Sequence, residues 1–181
     1  ITPAAIYRNV FENPVWYTSY TPYQAEISQG RLEALLNFQT VVSELTGLPL
    51  ANSSLLDEAT AAAEAASMMY SLRSRDQVKN NVETLFVDQH VFPQTLAVLR
   101  TRMGMVEIDI EVGDYKNFGG DKKYFGAIVQ YPNSNGNIED YKSFVEKAHA
   151  SECKVAVATD LMALVLLTPP GEWGADIAFG S

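Results

Sequence analysis

Short apolar runs that alternate with helix-like segments are the feature that most constrains the fold of this chain. Each run has the length of a strand that is buried on both faces of a sheet. The predicted strands cover residues 84–87, 106–112, 125–130, 155–159 and 175–179. Helical patterns lie between some of these runs, over residues 93–103 and 138–150. This alternation predicts a three-layer α/β fold in which helices cover both faces of a mainly parallel sheet.

Two further helices are predicted ahead of the first strand. A stripe of leucine and valine residues begins after Ser28, which can cap a helix, and ends at Gly47. A second helical pattern runs from Asp57 to about Leu72, and its first half is almost entirely alanine. Residues 1–27 contain prolines and aromatic residues without a sustained period, which predicts an extended N-terminal arm. No linker or repeat interrupts the chain, so residues 1–181 are treated as one unit.

Composition excludes several classes of function. The chain carries 13 Lys and Arg residues against 22 Asp and Glu residues, a formal charge of −9, so we expect no nucleic-acid surface. Its longest strongly apolar stretch, residues 161–167, is too short to cross a membrane. The single cysteine, Cys153, excludes an internal disulfide and indicates a reducing compartment. We interpret Cys153 as a packing residue between a helix and a strand.

Most chemical signatures are absent. The chain lacks the glycine-rich dinucleotide loop, the phosphate-binding Walker loop, and the zinc, dithiol and serine-nucleophile motifs. With two histidines, His90 and His149, and one cysteine, no metal site is predicted. His149 falls late in a predicted helix, where a surface histidine is favourable. His90 follows a strand end and is a weaker candidate for a cleft residue.

Asp160 stands directly after the apolar run 155–159, so we expect its carboxylate at the carboxyl end of a strand. Open α/β sheets place their ligand chemistry at that edge. In enzymes that use pyridoxal phosphate, an aspartate so placed pairs with the pyridine nitrogen, and a lysine beyond the next strand forms the Schiff base. The last lysine of this chain is Lys154. We therefore expect half of such a scaffold without its reactive amine and without covalently bound cofactor.

The tract 55–65 allows two interpretations. A turn of small residues that opens a helix can direct backbone N–H groups and the helix dipole at a phosphate. Asp57 and Glu58 would repel a phosphate at that place. An alanine-rich helix packed tightly against a sheet accounts for the same residues without a ligand, and both interpretations stay open.

A polar block rich in tyrosine precedes the first long helix. Tyr20, Thr21, Tyr23 and Glu26 bring hydroxyl groups and a carboxylate onto a segment with rigid aromatic rings. A purely structural arm needs less polarity, so we predict that this block has a functional or interface role.

Three segments together resemble the N-terminal half of glycine dehydrogenase (decarboxylating), the P-protein family of the glycine cleavage system. They are residues 16–40, residues 51–64, and Ala158–Leu164 together with the stretch from Pro169 to Ile177. The resemblance implies a partial large domain of the pyridoxal phosphate-dependent fold type I. It also implies an enzyme of two related halves, fused or separate, of which the half similar to this chain lacks the Schiff-base lysine.

The activity implied by the resemblance is that of the complete enzyme. In that family the other half holds pyridoxal phosphate, glycine loses carbon dioxide, and the aminomethyl group passes to the lipoyl arm of the H-protein. The expected partners are therefore the cofactor-bearing half or subunit, the H-protein and glycine. The implied location is the bacterial cytoplasm or, in a eukaryote, the mitochondrial matrix. As a fragment that stops short of the full large domain, this chain is not expected to be active alone.

Site residues can be assigned from the same resemblance. Tyr20, Thr21, Tyr23 and Glu26 fall in the family's tyrosine-rich block and are expected to line the cleft shared by the two halves. The vestigial cofactor-binding positions are Thr60, Phe92 and Asp160. Phe92 stands where the family usually has a histidine, which leaves an aromatic ring but no imidazole. No catalytic residue is assigned within the chain. The alternative hypothesis is an independent α/β module that binds a small phosphorylated ligand.

Overall fold

The computed structural model describes residues 2–14, 29–52, 54–120 and 122–181. Contacts divide the chain into two compact units, Ile1–Phe38 and Gln39–Ser181. Helix α2, Gln29–Thr46, ends at Gly47, which adopts a φ of +68° as expected of a C-terminal glycine. The predicted helix end is therefore confirmed.

The first unit differs from the predicted extended arm. Helix α1, Ala4–Ile6, continues into a π-helical turn, Tyr7–Phe11, so these residues are helical rather than extended. Pro3 precedes the helix with a φ of −57°, and two alanines follow, a combination that favours a helix start. Residues 15–27 of the predicted arm lie outside the described residues.

The second unit is built on a five-stranded parallel sheet in the order β2-β1-β3-β4-β5. Its strands are β1 (Thr84–Asp88), β2 (Asp109–Gly113), β3 (Gly126–Tyr131), β4 (Lys154–Thr159) and β5 (Ile177–Gly180). The central strands β1, β3 and β4 are almost entirely buried. The prediction of a mainly parallel sheet from short apolar runs is confirmed.

Helices cover the sheet on both faces. They are α3 (Glu58–Ser71), α4 (Arg75–Lys79), α5 (Pro93–Gly104) and α6 (Lys142–Ala150). One core cluster joins α3 and α5 to alternate strand residues such as Leu85 and Val87. The other joins α6 to the residues that face the opposite way, such as Phe86. The predicted three-layer arrangement is therefore confirmed.

Some boundaries differ from the sequence prediction. Helix α6 begins at Lys142 rather than at residue 138, because the Asp140 side chain accepts a hydrogen bond from the Lys142 N–H at 3.0 Å and forms a turn there. Strand β2 begins three residues later than predicted, since Glu107 has a φ of +58°, which interrupts an extended backbone. The short helix α4 was not predicted, although Ser74 and Gln77 form a capping box at its start.

Candidate functional site

The parallel strands bring their carboxyl ends to one edge of the sheet, and a cleft lies there. Its volume is about 330 Å³. The lining residues come from the ends of β3, β4 and β5 and from the starts of α3 and α5. They are Glu58, Phe92, Gln130, Pro132, Asn133, Thr159, Asp160 and Ser181. This is the edge where open α/β sheets place their ligands.

Two of the residues predicted from the sequence meet in this cleft. Asp160 directly follows β4, and its Oδ1 accepts a hydrogen bond from the Met162 N–H at 2.9 Å. Phe92 stands at the N-cap position of α5. Thr60 is not among the lining residues, although Glu58 of the same helical turn is. The roles of Thr60, Phe92 and Asp160 in binding a cofactor stay predictions.

The tyrosine-rich block is outside the described part of the chain. Tyr20, Thr21, Tyr23 and Glu26 all fall within residues 15–28. Their predicted position in a cleft between two halves therefore stays a prediction.

The start of α3 already holds a carboxylate. The Asp57 side chain accepts a hydrogen bond from the Thr60 N–H at 2.7 Å, and this bond holds the pKa of Asp57 below its usual value. Glu58 adds a second negative charge in the first turn. An anion at this helix end would meet both carboxylates, which opposes the binding of a phosphate.

The alanines of α3 are explained by packing. Ala62, Ala63 and Ala66 are fully buried in the core cluster between the helix and the sheet. Small side chains allow the helix backbone to approach the strands closely. Of the two interpretations of the tract 55–65, the structure favours an alanine-rich helix packed against the sheet over a phosphate site.

Three buried polar atoms at the cleft have no hydrogen-bond partner among the described residues. They are Gln130 Oε1, Asn133 Nδ2 and Thr159 Oγ1. Their residues are 5%, 4% and 4% exposed, and all three line the cleft. An unmade hydrogen bond of a buried group costs about 1–3 kcal/mol. Two of these residues belong to the ends of β3 and β4, and Asn133 belongs to the loop that follows β3.

Sequence reasoning missed Gln130, Asn133 and Thr159. Gln130 and Thr159 are polar residues at or next to the end of an apolar run, the same signal that identified Asp160. Asn133 has no such signal, because it lies in a turn where its Oδ1 accepts hydrogen bonds from the N–H groups of Asn135 and Asn137, each at 3.0 Å.

His90 lies near the same edge but does not line the cleft. Its backbone N–H donates to Asp88 Oδ1 at 2.9 Å, and its ring Nδ1 is 3.2 Å from Asn135 Nδ2. Asp88 is buried and also accepts a hydrogen bond from the Tyr115 N–H. These contacts join the loops after β1 and β2 to the turn at Asn135. The contacts of His90 therefore stabilise these loops.

A second cavity, of about 290 Å³, lies at the amino-terminal edge of the sheet. The residues that line this cavity include His149, Cys153 and Lys154. His149 Nε2 and Lys154 Nζ contact the Asp176 carboxylate at 2.8 and 2.9 Å. Cys153 is fully buried, and burial raises the pKa of its thiol to about 12, in keeping with a packing residue.

The cleft at the carboxyl edge does not fit covalently held pyridoxal phosphate. It has an aspartate and an aromatic ring, but no lysine is among its lining residues. Lys154 begins β4 at the opposite edge and pairs with Asp176. Asp57 and Glu58 place carboxylates at the start of α3, which opposes a phosphate there.

Neither a metal cluster nor a membrane-spanning helix is formed by residues 2–14, 29–52, 54–120 and 122–181. Within them, no group of three or more His, Cys, Asp or Glu side chains is placed to hold a metal ion. No helix in this part of the chain is both long and apolar enough to span a membrane.

A family model and curated relatives identify one family for this chain. A family model described as Glycine cleavage system P-protein matches residues 1–181. The glycine dehydrogenase (decarboxylating) of Bacteroides thetaiotaomicron is 66% identical over 181 residues, which is 100% of this chain and 19% of that relative. The chain therefore spans about a fifth of the length of the curated relatives it matches.

Solved structures give the fold. A glycine decarboxylase (P-protein) of the glycine cleavage system, in inhibitor-bound form, matches with a TM-score of 0.82 and 33% identity, over 99% of this chain and 40% of that one. An aromatic-amino-acid aminotransferase from Burkholderia pseudomallei, covalently bound to pyridoxal phosphate, matches with a TM-score of 0.53 over 86% of this chain and 48% of that one. Its 12% identity shows the fold alone. The predicted fold, pyridoxal phosphate-dependent fold type I, is confirmed.

Proposed function

The chain belongs to the family of glycine cleavage system P-proteins, and from this membership we propose that it is part of an enzyme that decarboxylates glycine. The observation that carries the proposal is the family match along all 181 residues. The complete enzyme would use pyridoxal phosphate and pass the aminomethyl group of glycine to the lipoyl arm of the H-protein. The relative compared above is bacterial, and we infer a cytoplasmic location for the complete enzyme.

We further propose that this chain comes from the half of the enzyme that does not hold the cofactor. The cleft at the carboxyl edge supports this assignment, since no lysine lines it and Asp57 caps the neighbouring helix start. The cofactor would bind to a second half or subunit that carries the Schiff-base lysine. This chain would then contribute residues to the shared active-site cleft and stabilise the assembly.

The residues proposed for the shared cleft are Tyr20, Thr21, Tyr23 and Glu26. In the sequence, Thr21 and Pro22 separate the two tyrosines. Each phenol offers a hydrogen bond on a rigid ring.

The test uses the full-length enzyme with Tyr20→Phe and Tyr23→Phe substitutions. Each removes one hydroxyl and keeps the ring, so a phenol that orients a polar group should weaken transition-state binding by about 1–3 kcal/mol. The measurement is the exchange of labelled bicarbonate into glycine, with thermal unfolding to check the fold.

Tyr70→Phe is the matched control. The Tyr70 hydroxyl contacts Glu83 at 3.3 Å on the surface, so its removal should leave the exchange rate unchanged. Wild-type exchange in both the Tyr20 and Tyr23 variants would remove these residues from the active site. A full-length protein with no glycine–bicarbonate exchange at all would contradict the proposed activity.

A further inference from the structure

The turn that follows β3 contains the only asparagine of the sequence that directly precedes a glycine. The pair is Asn135 and Gly136. Asparagine in this position is chemically labile, because the backbone nitrogen of the next residue can attack the side-chain amide carbon. Glycine has no side chain to hinder that attack. The sequence therefore places a reactive pair in this turn.

The surroundings of the pair leave it accessible. Residues 134–138 are all exposed, and a Cβ added to Gly136 would meet no atom within 4 Å among the described residues. The Gly136 N–H donates to the Asn133 carbonyl at 2.8 Å, so this hydrogen bond has to break before the nitrogen can attack. Because no core residue lies among residues 134–138, the turn can open there without exposing the core.

Asn133, two residues earlier, provides a comparison within the same turn. It also precedes a small residue, Ser134, but it is buried, and its Oδ1 accepts hydrogen bonds from two backbone N–H groups at 3.0 Å. These bonds hold the Asn133 side chain in place. The Asn135 amide nitrogen instead lies 3.2 Å from a ring nitrogen of His90 at the surface. We therefore expect a reaction at Asn135 and none at Asn133.

We propose that Asn135 is a site of spontaneous deamidation. The Gly136 nitrogen gives up its proton to water and forms a bond to the Asn135 amide carbon. The bond between that carbon and the side-chain nitrogen breaks, and the nitrogen takes a proton from water and leaves as ammonia. Water then opens the cyclic imide at one of its two carbonyl groups, which gives aspartate or isoaspartate at position 135. Water is the only co-reactant.

The reaction changes the wall of the cleft at the carboxyl edge, because Asn133 lines that cleft. The Asn133 N–H donates to the Asn137 carbonyl, and Asn133 Oδ1 accepts from the Asn137 N–H, both at 3.0 Å. Isoaspartate adds one carbon atom to the backbone that these two bonds enclose, so we expect both bonds to weaken. The proposed function requires no such reaction, and the inference goes beyond it.

The test follows the oxygen that replaces the amide nitrogen. The full-length protein is incubated at neutral pH in water that carries a heavy oxygen isotope, and it is then digested in ordinary water. Peptide mass mapping should show a labelled acidic form at position 135, while Asn133 and Asn137 stay unlabelled. An enzyme that methylates isoaspartate should modify the same peptide.

Two variants control the measurement. Asn135→Gln keeps the amide but moves its carbon one bond further from the Gly136 nitrogen, so this variant should gain almost no label. Gly136→Asn introduces a residue that tolerates a positive φ but has a side chain that hinders the attack, so label should accumulate more slowly at Asn135. Hydrogen exchange of the Asn137 amide should become faster in the incubated wild type and stay unchanged in Asn135→Gln.

A synthetic peptide of residues 131–140 sets the time of incubation, because the same sequence reacts there without a folded turn. A protein that gains no label at position 135 while the peptide is converted would overturn the proposal. Labelling of Asn133 as fast as Asn135, or equal rates in the wild type and Gly136→Asn, would also overturn it. None of these results concerns glycine–bicarbonate exchange, so failure here is distinguishable from failure of the proposed function.

Discussion

At the scale of single residues, the Asp176 carboxylate makes three polar contacts at the amino-terminal edge of the sheet. Its carboxylate accepts hydrogen bonds from the Val155 N–H at 2.8 Å and from Lys154 Nζ at 2.9 Å, and it lies 2.8 Å from His149 Nε2. Burial acts to raise the pKa of Asp176, but these hydrogen bonds outweigh burial and hold that pKa below its usual value. Asp176 thus ties the start of β4 and the end of α6 to the segment before β5.

We predict that Asp176→Asn lowers the free energy of unfolding by about 1–3 kcal/mol near neutral pH. Because the folded-state pKa is depressed, the stabilisation is present above the unfolded-state pKa and is lost as the pH falls through the folded-state value. The variant and the wild type should therefore converge in acid. Denaturant titrations across this pH range make the measurement, with the exposed Asp109→Asn as control. A stability difference that stays constant into acid would contradict this account.

Cys153 provides a second test at this scale. Its side chain is fully buried and burial raises the pKa of its thiol to about 12, so the native protein should hold it as an unreactive thiol. We predict that iodoacetamide leaves the peptide containing Cys153 unmodified in the native state and modifies it after denaturation, as measured by mass spectrometry. Equal labelling rates in the two states would show that the residue is accessible.

At the scale of elements, the contact between α3 and the sheet depends on small residues. Ala62 is fully buried, and a Cβ added to Gly126 of β3 would lie 2.9 Å from the Met69 side chain. The helix and the sheet are therefore close enough that little extra volume fits between them.

We predict that Ala62→Leu lowers the free energy of unfolding by about 1–3 kcal/mol, because an overpacked core has to shift to admit the larger side chain. Met68→Leu places a leucine on the exposed side of the same helix and should change stability by less than about 0.5 kcal/mol. Both values come from denaturant unfolding. Equal stability of the two variants would contradict the close packing of α3.

The elements that the sequence predicted well are those with a strong local signal. Gly47 ends α2 and Pro93 begins α5, since each residue has a backbone preference that marks a helix boundary. The missed boundaries depend on single local contacts, such as the turn at Asp140 and the positive φ of Glu107. Helix α1 was missed because prolines and aromatic residues obscured its short helical pattern.

At the scale of the whole molecule, the strand order was beyond the reach of the sequence. Each apolar run predicts a buried strand, but which strands are neighbours depends on how they pack together in space. The cleft was predictable only in part for the same reason. Asp160 follows its own strand, whereas Gln130 and Thr159 come from neighbouring strands, in a register that pairs Gln130 with Ala158 and Tyr131 with Thr159.

The central claim is that this chain belongs to the half of the enzyme without the Schiff-base lysine, and borohydride reduction tests it most directly. The full-length protein is loaded with pyridoxal phosphate, reduced and mapped by peptide mass spectrometry. We predict a pyridoxyl-lysine outside residues 1–181 and no site-specific adduct on any of the seven lysines of this chain. A stoichiometric adduct on one of these seven lysines would contradict the account.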